Sequence, residues 1–245
     1  VKINEILKTR FKAVFIKKNY LSQTDEISLL KKNGNLFAED ERKKSLIRAI
    51  KKKNEVALFD DGLQQKNIKY DIKIACFNSE YGLGNEFLIP AGPLRESLQE
   101  LKNCDIAFIN GERKNIGLQK KIKSVNNDIK IFEGKYKPTN LTKFNLNKKY
   151  LMFCGIGNPE EFFKTLKKYK FNIKQKMIYP DHYRFESQDI KELKKIADEK
   201  QLLLITTEKD YLRLKKRERR HIKFLRVELN ISQENKFKKV LLKIL

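Results

Sequence analysis

The sequence predicts an α/β fold built on mainly parallel sheets. Short apolar runs typical of buried strands alternate with longer amphipathic stretches typical of helices, and Gly-, Pro- and Asp-containing turns separate them. The chain has 245 residues, which is enough for one or two domains. Hydrophobic residues make up 40% of it and fall in ordered runs, as in a globular protein.

The first half of the chain contains one series of alternating elements. Helical stretches with one apolar face are predicted at 1–9, 45–53 and 94–102. Apolar strands are predicted at 11–16, 55–59, 71–77 and 105–110. We therefore expect a first α/β lobe over residues 1–130.

Residues 131–149 differ in character from the sequence on either side. They are rich in β-forming residues and contain Pro138, so we expect an extended linker. A second series follows, with strands at 150–154 and 202–206 and helices at 160–169 and 187–200. We expect a second, smaller α/β lobe over 150–245.

The net charge is strongly positive. The 55 basic and 31 acidic residues give a formal charge of +24. Such an excess favours polyanionic partners: nucleic acid, anionic lipid head groups or phosphorylated substrates. A general bias of composition explains the charge equally well, because the lysines are spread over nearly every predicted helix and the whole chain is rich in Lys, Asn and Ile.

The cysteines and the chain start limit the choices further. Cys76, Cys104 and Cys154 show no C-x-x-C spacing, which favours reduced, buried thiols. With only His182 and His221 as further ligands, a structural zinc site is not expected.

No apolar run approaches the ~20 residues of a membrane-spanning helix. The chain opens at Val1 inside an amphipathic pattern, so we expect that the natural N-terminus lies upstream.

The strongest local motif is a pair of carboxylates behind a buried strand. The strand at 55–59 ends in Asp60-Asp61-Gly62, at the edge of a parallel sheet where α/β folds bind ligands. An aspartate at this place in nucleotide-binding enzymes helps to hold Mg²⁺. The alternative is a plain Asp-Asp-Gly turn, which is common after strands.

Three other motifs each have a functional and a structural interpretation. Thr24-Asp25-Glu26 precedes an apolar run and is typical of a helix start. His182 follows a strand, where it can orient a general base or be merely structural. The turn at 155–159 (GIGNP) resembles a phosphate-binding turn, or a tight connection in which Asn158 caps a helix that begins at Pro159. The phosphate-loop pattern G-x-x-x-x-G-K-[ST] does not occur in the 245 residues.

Read in order, the motifs resemble those of the lipid A 4'-kinases, or tetraacyldisaccharide 4'-kinases. That family carries G-D-E-P, D-D-G-x-Q-H, L-P-A-G-P-L-R-E, G-I-G-N-P, F-P-D-H-H and T-T-E-K-D. This chain has TDE at 24–26, DDGLQ at 60–64, IPAGPLRE at 89–96, GIGNP at 155–159, YPDHY at 179–183 and TTEKD at 206–210. The resemblance extends over about residues 24–210, and the strings DDGLQ and PAGPLRE are specific.

The resemblance implies a P-loop-kinase-like parallel-sheet lobe and a second α/β lobe joined by a β linker. It implies transfer of the γ-phosphate of ATP, with Mg²⁺, to the 4'-hydroxyl of the tetraacyl glucosamine disaccharide 1-phosphate precursor of lipid A, at the cytoplasmic face of the bacterial inner membrane. Asp25 would be the general base and His182 its dyad partner. The implied metal-binding residues are Asp60, Asp61 and Glu26, and the implied substrate-side residues are Asn85 and Arg95.

The chain departs from the family pattern at several positions. The family's Gly-rich phosphate loop and N-terminal membrane helix would lie before Val1, so we expect these 245 residues to be inactive alone. Thr24 and Ile27 replace a Gly and a Pro that flank the acidic pair, and Gln65 replaces a His. The alternatives are a non-catalytic kinase relative and a basic nucleic-acid-binding α/β protein. No RNA-recognition, zinc-finger or basic-zipper motif is present, and we expect no nucleic-acid partner.

Overall fold

The predicted α/β class is confirmed by a computed structural model. It describes the backbone at 1–20 and 24–245, while the side chains of Thr24 and Asp25 lie outside what it describes. The strands are β1 (Ala13–Lys18), β2 (Leu36–Glu39), β3 (Val56–Phe59), β4 (Ile74–Asn78), β5 (Ile106–Asn110), β6 (Lys130–Pro138), β7 (Lys149–Cys154), β8 (Asn172–Ile178), β9 (Leu203–Thr207), β10 (Ile222–Leu225) and β11 (Val227–Ile231).

The α-helices follow the apolar periodicity of the sequence. They are α1 (Lys2–Leu7), α2 (Thr24–Asn33), α3 (Arg42–Lys51), α4 (Ile116–Val125), α5 (Pro159–Lys168), α6 (Ser187–Glu199), α7 (Glu208–Arg213) and α8 (Glu234–Ile244). Short 3₁₀ turns lie at Leu98–Asn103, Leu141–Lys143 and Lys216–Glu218. No helix in the described ranges is long and apolar enough to cross a membrane.

The first sheet has the order β2-β1-β3 and is parallel. Its central strand, β1, buries Val14, Phe15 and Ile16, as expected for a strand covered on both faces. Ile16 lies opposite Phe59, the last residue of β3. Lys17 of β1 and Asp60, which follows β3, are therefore neighbours at the carboxyl edge of this sheet.

The second sheet has the order β10-β9-β7-β8 and is also parallel. Residues 150–154 of β7 are fully buried, which explains their unbroken apolar sequence YLMFC. The GIGNP turn follows β7 and leads into α5. The Oδ1 of Asn158 accepts a hydrogen bond from the Glu161 amide (3.1 Å), and Pro159 begins the helix. The interpretation of this turn as a capped connection is confirmed.

The third sheet has the order β11-β6-β5-β4, in which β4, β5 and β6 are parallel. The segment expected to be an extended linker begins with β6, which pairs with β5. Helix α8 covers this sheet through Phe237, whose ring lies edge-on to Phe108 at 5.9 Å and Phe132 at 5.0 Å between centroids.

Contacts divide the chain into two compact units. Unit 1 contains Val1–Asp60 and Pro138–Val227, and unit 2 contains Asp61–Lys137 and Glu228–Leu245. Within unit 1, α2 packs against α7, with an ion pair of 2.5 Å between Lys32 and Glu208. The expected division into 1–130, 131–149 and 150–245 cuts across these units and stays a prediction.

Two local expectations were wrong. The helix predicted at 94–102 is wrong over its first half, because Leu94 is extended and its backbone hydrogen-bonds to Phe87 (3.1 Å) and Ile89 (2.9 Å), and its second half lies in the 3₁₀ helix Leu98–Asn103. A 3₁₀ turn begins only after Ser97, whose side chain accepts a hydrogen bond from the Gln99 amide. The cysteines are free, but Cys76 is exposed, because β4 is an edge strand.

Candidate functional site

The carboxyl edge of the first sheet is organised around a buried lysine. Lys17, near the end of β1, is only 2% exposed. Its Nζ contacts the Oδ2 of Asp60 at 2.5 Å and the Oε2 of Glu26 at 2.7 Å. Lys17 and Asp60 lie 43 positions apart in the sequence, and the register of β1 against β3 brings them together. One ammonium group thus holds two of the three carboxylates expected to bind metal.

Glu26 is held from a second side as well. Its Oε1 lies 3.1 Å from the Nζ of Lys209 on α7. Burial by itself would raise the pKa of Glu26, but the hydrogen bond from Lys17 and the charge of Lys209 outweigh it and lower the pKa to about 2. The pKa of Lys17 is raised, because the hydrogen bonds to Asp60 and Glu26 outweigh the desolvation. Both groups are therefore charged at neutral pH.

Asp61 has a different environment from its neighbour Asp60. It adopts a left-handed backbone conformation, with φ of 55°, and belongs to unit 2. Its carboxylate forms an ion pair with Arg95, the arginine of the PAGPLRE string. The sequence prediction thus placed the two acids correctly at the end of β3, and the structure gives them separate cationic partners.

Asn85 shapes the loop that carries Arg95. Its Nδ2 donates to the carbonyl of Ala91 (2.8 Å) and its Oδ1 accepts from the amide of Phe87 (3.2 Å). A side chain at Gly92 would meet this Oδ1 at 2.1 Å, so the glycine is required by close approach. The substrate-binding role expected for Asn85 and Arg95 stays a prediction.

A second cluster surrounds His182, after β8. Its backbone is left-handed, with φ of 58°, and its amide donates to the carbonyl of Gly155 (3.1 Å). The imidazole Nδ1 lies 3.3 Å from an Nη2 of Arg213, and Nε2 lies 3.9 Å from the Oδ2 of Asp181. The imidazole is partly exposed, so one part of it remains accessible.

The TTEKD motif supplies the buried acidic residue of this cluster. Asp210 is completely buried and accepts hydrogen bonds from the Gly155 amide (3.1 Å), the Thr207 hydroxyl (2.7 Å) and Arg213 Nη1 (2.8 Å). The Thr207 hydroxyl also caps α7 through the Asp210 amide. The motif therefore joins the end of β9 to the GIGNP turn after β7.

The other expected catalytic residue, Asp25, lies in the first turn of α2, and its side chain is outside the described part of the structure. The expected division placed Asp25 and His182 in different lobes, whereas contacts place both in unit 1. Among the described residues, no group of three or more His, Cys, Asp or Glu side chains is arranged to hold a metal ion. Carboxylate oxygens suit Mg²⁺, so Asp60, Asp61 and Glu26 keep the right chemistry, and their metal role stays a prediction.

Sequence reasoning assigned no role to four charged residues of these clusters, Lys17, Lys209, Asp210 and Arg213. Lys209 and Asp210 lie in the TTEKD string that contributes to the family resemblance. Two signals for them existed. Lys17 interrupts an apolar strand just before its end, and Asp210 and Arg213 lie three positions apart, which places them on the same face of a helix.

The pairing of Glu26 predicts a specific pH dependence of stability. Because the pKa of Glu26 is about 2 in the folded protein and its ordinary value is 4.5, Glu26 stabilises the fold above pH 4.5, and this contribution disappears as the pH falls towards 2. Glu26→Gln should lower the free energy of unfolding by roughly 3 kcal/mol at pH 7 and by progressively less below pH 4.5. Urea unfolding of both proteins between pH 2 and 7 measures the difference, with the exposed Glu192→Gln as control. A difference in the free energy of unfolding that does not depend on pH would contradict the lowered pKa of Glu26.

Comparison with known proteins places these motifs in a family. The sequence model of the tetraacyldisaccharide-1-P 4'-kinases matches residues 9–245. The tetraacyldisaccharide 4'-kinase of Pelagibacter ubique is 43% identical over 246 residues, which cover 100% of this chain and 78% of that protein. The enzyme of the same name from Rickettsia bellii is 36% identical over 191 residues, which cover 78% of this chain and 58% of that protein.

The fold also matches a solved structure. The crystal structure of LpxK from Aquifex aeolicus in complex with ATP superposes with a TM-score of 0.71 and 21% identity, covering 99% of this chain and 82% of that one. At this identity the match shows the fold. The family model and the Pelagibacter relative extend over nearly the whole sequence, so the chain belongs to the tetraacyldisaccharide-1-P 4'-kinase family.

Proposed function

We propose that the natural protein that contains this chain acts as a tetraacyldisaccharide 4'-kinase, which transfers the γ-phosphate of ATP to the 4'-hydroxyl of the tetraacyl glucosamine disaccharide 1-phosphate precursor of lipid A. The observation that carries the proposal is the 43% identity to the Pelagibacter kinase along the whole chain. Phosphoryl transfer of this kind requires a positioned base, charge neutralisation and a phosphate-binding loop.

Asp25 is the proposed base, and the structure explains how its backbone is held in place. The next residue, Glu26, is bound by Lys17 from β1 and by Lys209 from α7. These two ion pairs fix the first turn of α2 between the two sheets of unit 1. His182 is the proposed partner of the base, and it orients the carboxylate while the sugar hydroxyl loses its proton.

Asp60 and Asp61 are the proposed residues that serve Mg²⁺ and ATP, and Glu26 is a further proposed metal-binding residue. When bound, Mg²⁺ neutralises charge on the transferred phosphate. Lys17 pairs with Asp60 and orients its carboxylate, and Arg95 does the same for Asp61. Arg95 and Asn85 belong to the proposed substrate-side loop.

We also propose that residues 1–245 by themselves transfer no phosphate. They hold no G-x-x-x-x-G-K-[ST] sequence, and without such a loop the β- and γ-phosphates lose most of their backbone amide donors. A non-catalytic relative is the second candidate, because Thr24, Ile27 and Gln65 replace family residues. An assay of ATP-dependent mass increase of the lipid acceptor, with the natural protein and with residues 1–245, separates the two functions.

The lipid surface is the proposed place of action, at the cytoplasmic face of the inner membrane. The loop after β4 exposes Phe87 by 63%, Leu88 by 47% and Ile89 by 64%. The loop is nonetheless ordered, since its backbone closes on itself through the pairs Leu94–Phe87, Ile89–Leu94 and Gly92–Leu88. An ordered loop that presents three large apolar side chains outward suits insertion among acyl chains, and the named acceptor of the relatives is itself acylated.

The proposed dyad predicts non-additive losses of activity. In the natural protein, Asp25→Ala and His182→Ala should each reduce kcat strongly, and the double variant should lose little more than the worse single variant, because the two groups act on one proton. Steady-state kinetics with ATP and the lipid acceptor measure the three losses. His221→Ala, at an exposed position, is the control. Strictly multiplicative losses would leave the dyad without support.

The proposed metal role predicts a separate loss. Asp61→Ala should reduce kcat by at least ~100-fold, the scale of a lost electrostatic group in phosphoryl transfer. The matched control is Asp40→Ala, which removes an exposed carboxylate that forms an ion pair with the surface lysine Lys44. Near-normal turnover of Asp61→Ala at saturating Mg²⁺ would favour the plain turn interpretation.

The proposed lipid contact predicts a site-specific fluorescence change. The 245 residues contain no tryptophan, so Ile89→Trp introduces a single probe into this chain. With anionic vesicles that carry brominated acyl chains, its emission should shift to the blue and be quenched. Ile50→Trp on α3 is the matched control, since Ile50 is 63% exposed. Equal quenching at both positions, or none at Ile89→Trp, would rule out this loop as the contact.

A further inference from the structure

The contact between Arg213 and His182 determines where the imidazole carries its proton. A guanidinium group has only donors, so at 3.3 Å from Arg213 Nη2 the Nδ1 of a neutral His182 must accept. We propose that Arg213 is a positioning residue that holds His182 in the tautomer protonated at Nε2. The effect of this tautomer on catalysis rests on the proposed kinase function, whereas the assignment of the tautomer does not rest on it.

Arg213 is suited to this role because it cannot easily move. Its side chain is 6% exposed, and its Nη1 donates to the Asp210 carboxylate at 2.8 Å and to the Gly155 carbonyl at 2.6 Å. Asp210 in turn is fixed by the Gly155 amide and by Thr207. A charge-assisted pair with both members buried is strong and directional. The Nη2 of Arg213 is therefore held in a fixed position beside His182.

His182 is tied to the same support through its backbone. The Gly155 carbonyl accepts hydrogen bonds from both the His182 amide (3.1 Å) and Arg213. The Asp181 carboxylate also accepts from the His182 amide, at 2.9 Å. A side chain at Gly155 would meet the Pro180 carbonyl at 3.0 Å, so the turn and the histidine loop are in direct contact. Arg213 and His182 are therefore both held by the Gly155 carbonyl, which fixes the distance between the guanidinium and the imidazole.

The tautomer determines which ring nitrogen of His182 can donate a hydrogen bond in the proposed dyad. With Nδ1 accepting from Arg213, the proton of the neutral ring lies on Nε2, on the side of the ring towards Asp181 Oδ2 at 3.9 Å. Towards the proposed base, Nε2 of the neutral ring can then act only as a hydrogen-bond donor. In the proposed mechanism His182 therefore orients the carboxylate, and it is not itself the group that removes the proton.

Nuclear magnetic resonance tests the tautomer directly. In long-range ¹H–¹⁵N spectra of the natural protein labelled at histidine nitrogens, the signals that the His182→Gln variant lacks are those of His182. At a pH where the ring is neutral, His182 should show the Nε2–H pattern, whereas the exposed His221 serves as an internal reference. An Nδ1–H pattern or an even mixture at His182 would overturn the proposal, whatever the activity of the protein.

A variant pair then separates positioning from folding. Arg213→Gln alone leaves the buried Asp210 charge without its arginine, so Arg213→Gln is combined with Asp210→Asn. In this double variant, with circular dichroism as a check of folding, the tautomer preference should weaken and kcat should fall by roughly 10-fold or more, while the KM for ATP stays within about 2-fold. Arg220→Gln, at an exposed position, is the control. A folded double variant with an unchanged tautomer and unchanged kcat would show that Arg213 is only structural.

Discussion

Lys17 is the residue on which the arrangement of unit 1 depends. A buried ammonium costs several kcal/mol in desolvation unless carboxylates compensate it closely. Asp60 at 2.5 Å and Glu26 at 2.7 Å provide that compensation, from the end of β3 and from the start of α2. Because a buried charge tolerates little displacement of its partners, Lys17 sets the spacing of three elements at one sheet edge.

The same principle operates at the second sheet with the charges reversed. There the fully buried group is the carboxylate of Asp210, and its partners are a guanidinium, a hydroxyl and a backbone amide. Lys209, the residue before it, reaches Glu26 in the first cluster. Helix α7 thus links the two clusters: Lys209 faces the first, and Asp210 and Arg213 belong to the second. A change in the position of α7 would disturb both the acidic helix start and the histidine loop.

Much of the fold was predictable because buried parallel strands leave a strong local signal. The apolar runs at β1, β3 and β7 predicted strands, and parallel pairing placed Asp60 and Asp61 at a ligand-binding edge. The partners of these acids were not predictable in the same way. Lys17 lies 43 positions from Asp60, and Arg213 lies 31 from His182, so only the tertiary fold brings them together. The helix predicted at 94–102 failed for a related reason, since pairing of Leu94 with Phe87 and Ile89 overrides local helix propensity.

The two clusters hold the residues proposed for catalysis in different ways. His182 is held through its own backbone and ring, by Gly155 and Arg213, so its direction is built into the resting structure. The backbone of Asp25 is held one residue away, through Glu26 and its two lysines. A general base gains from a fixed helix start, and the group proposed to orient it is effective only when it is rigid. Helix α7 contributes to both, because Lys209 holds Glu26 and Arg213 holds His182.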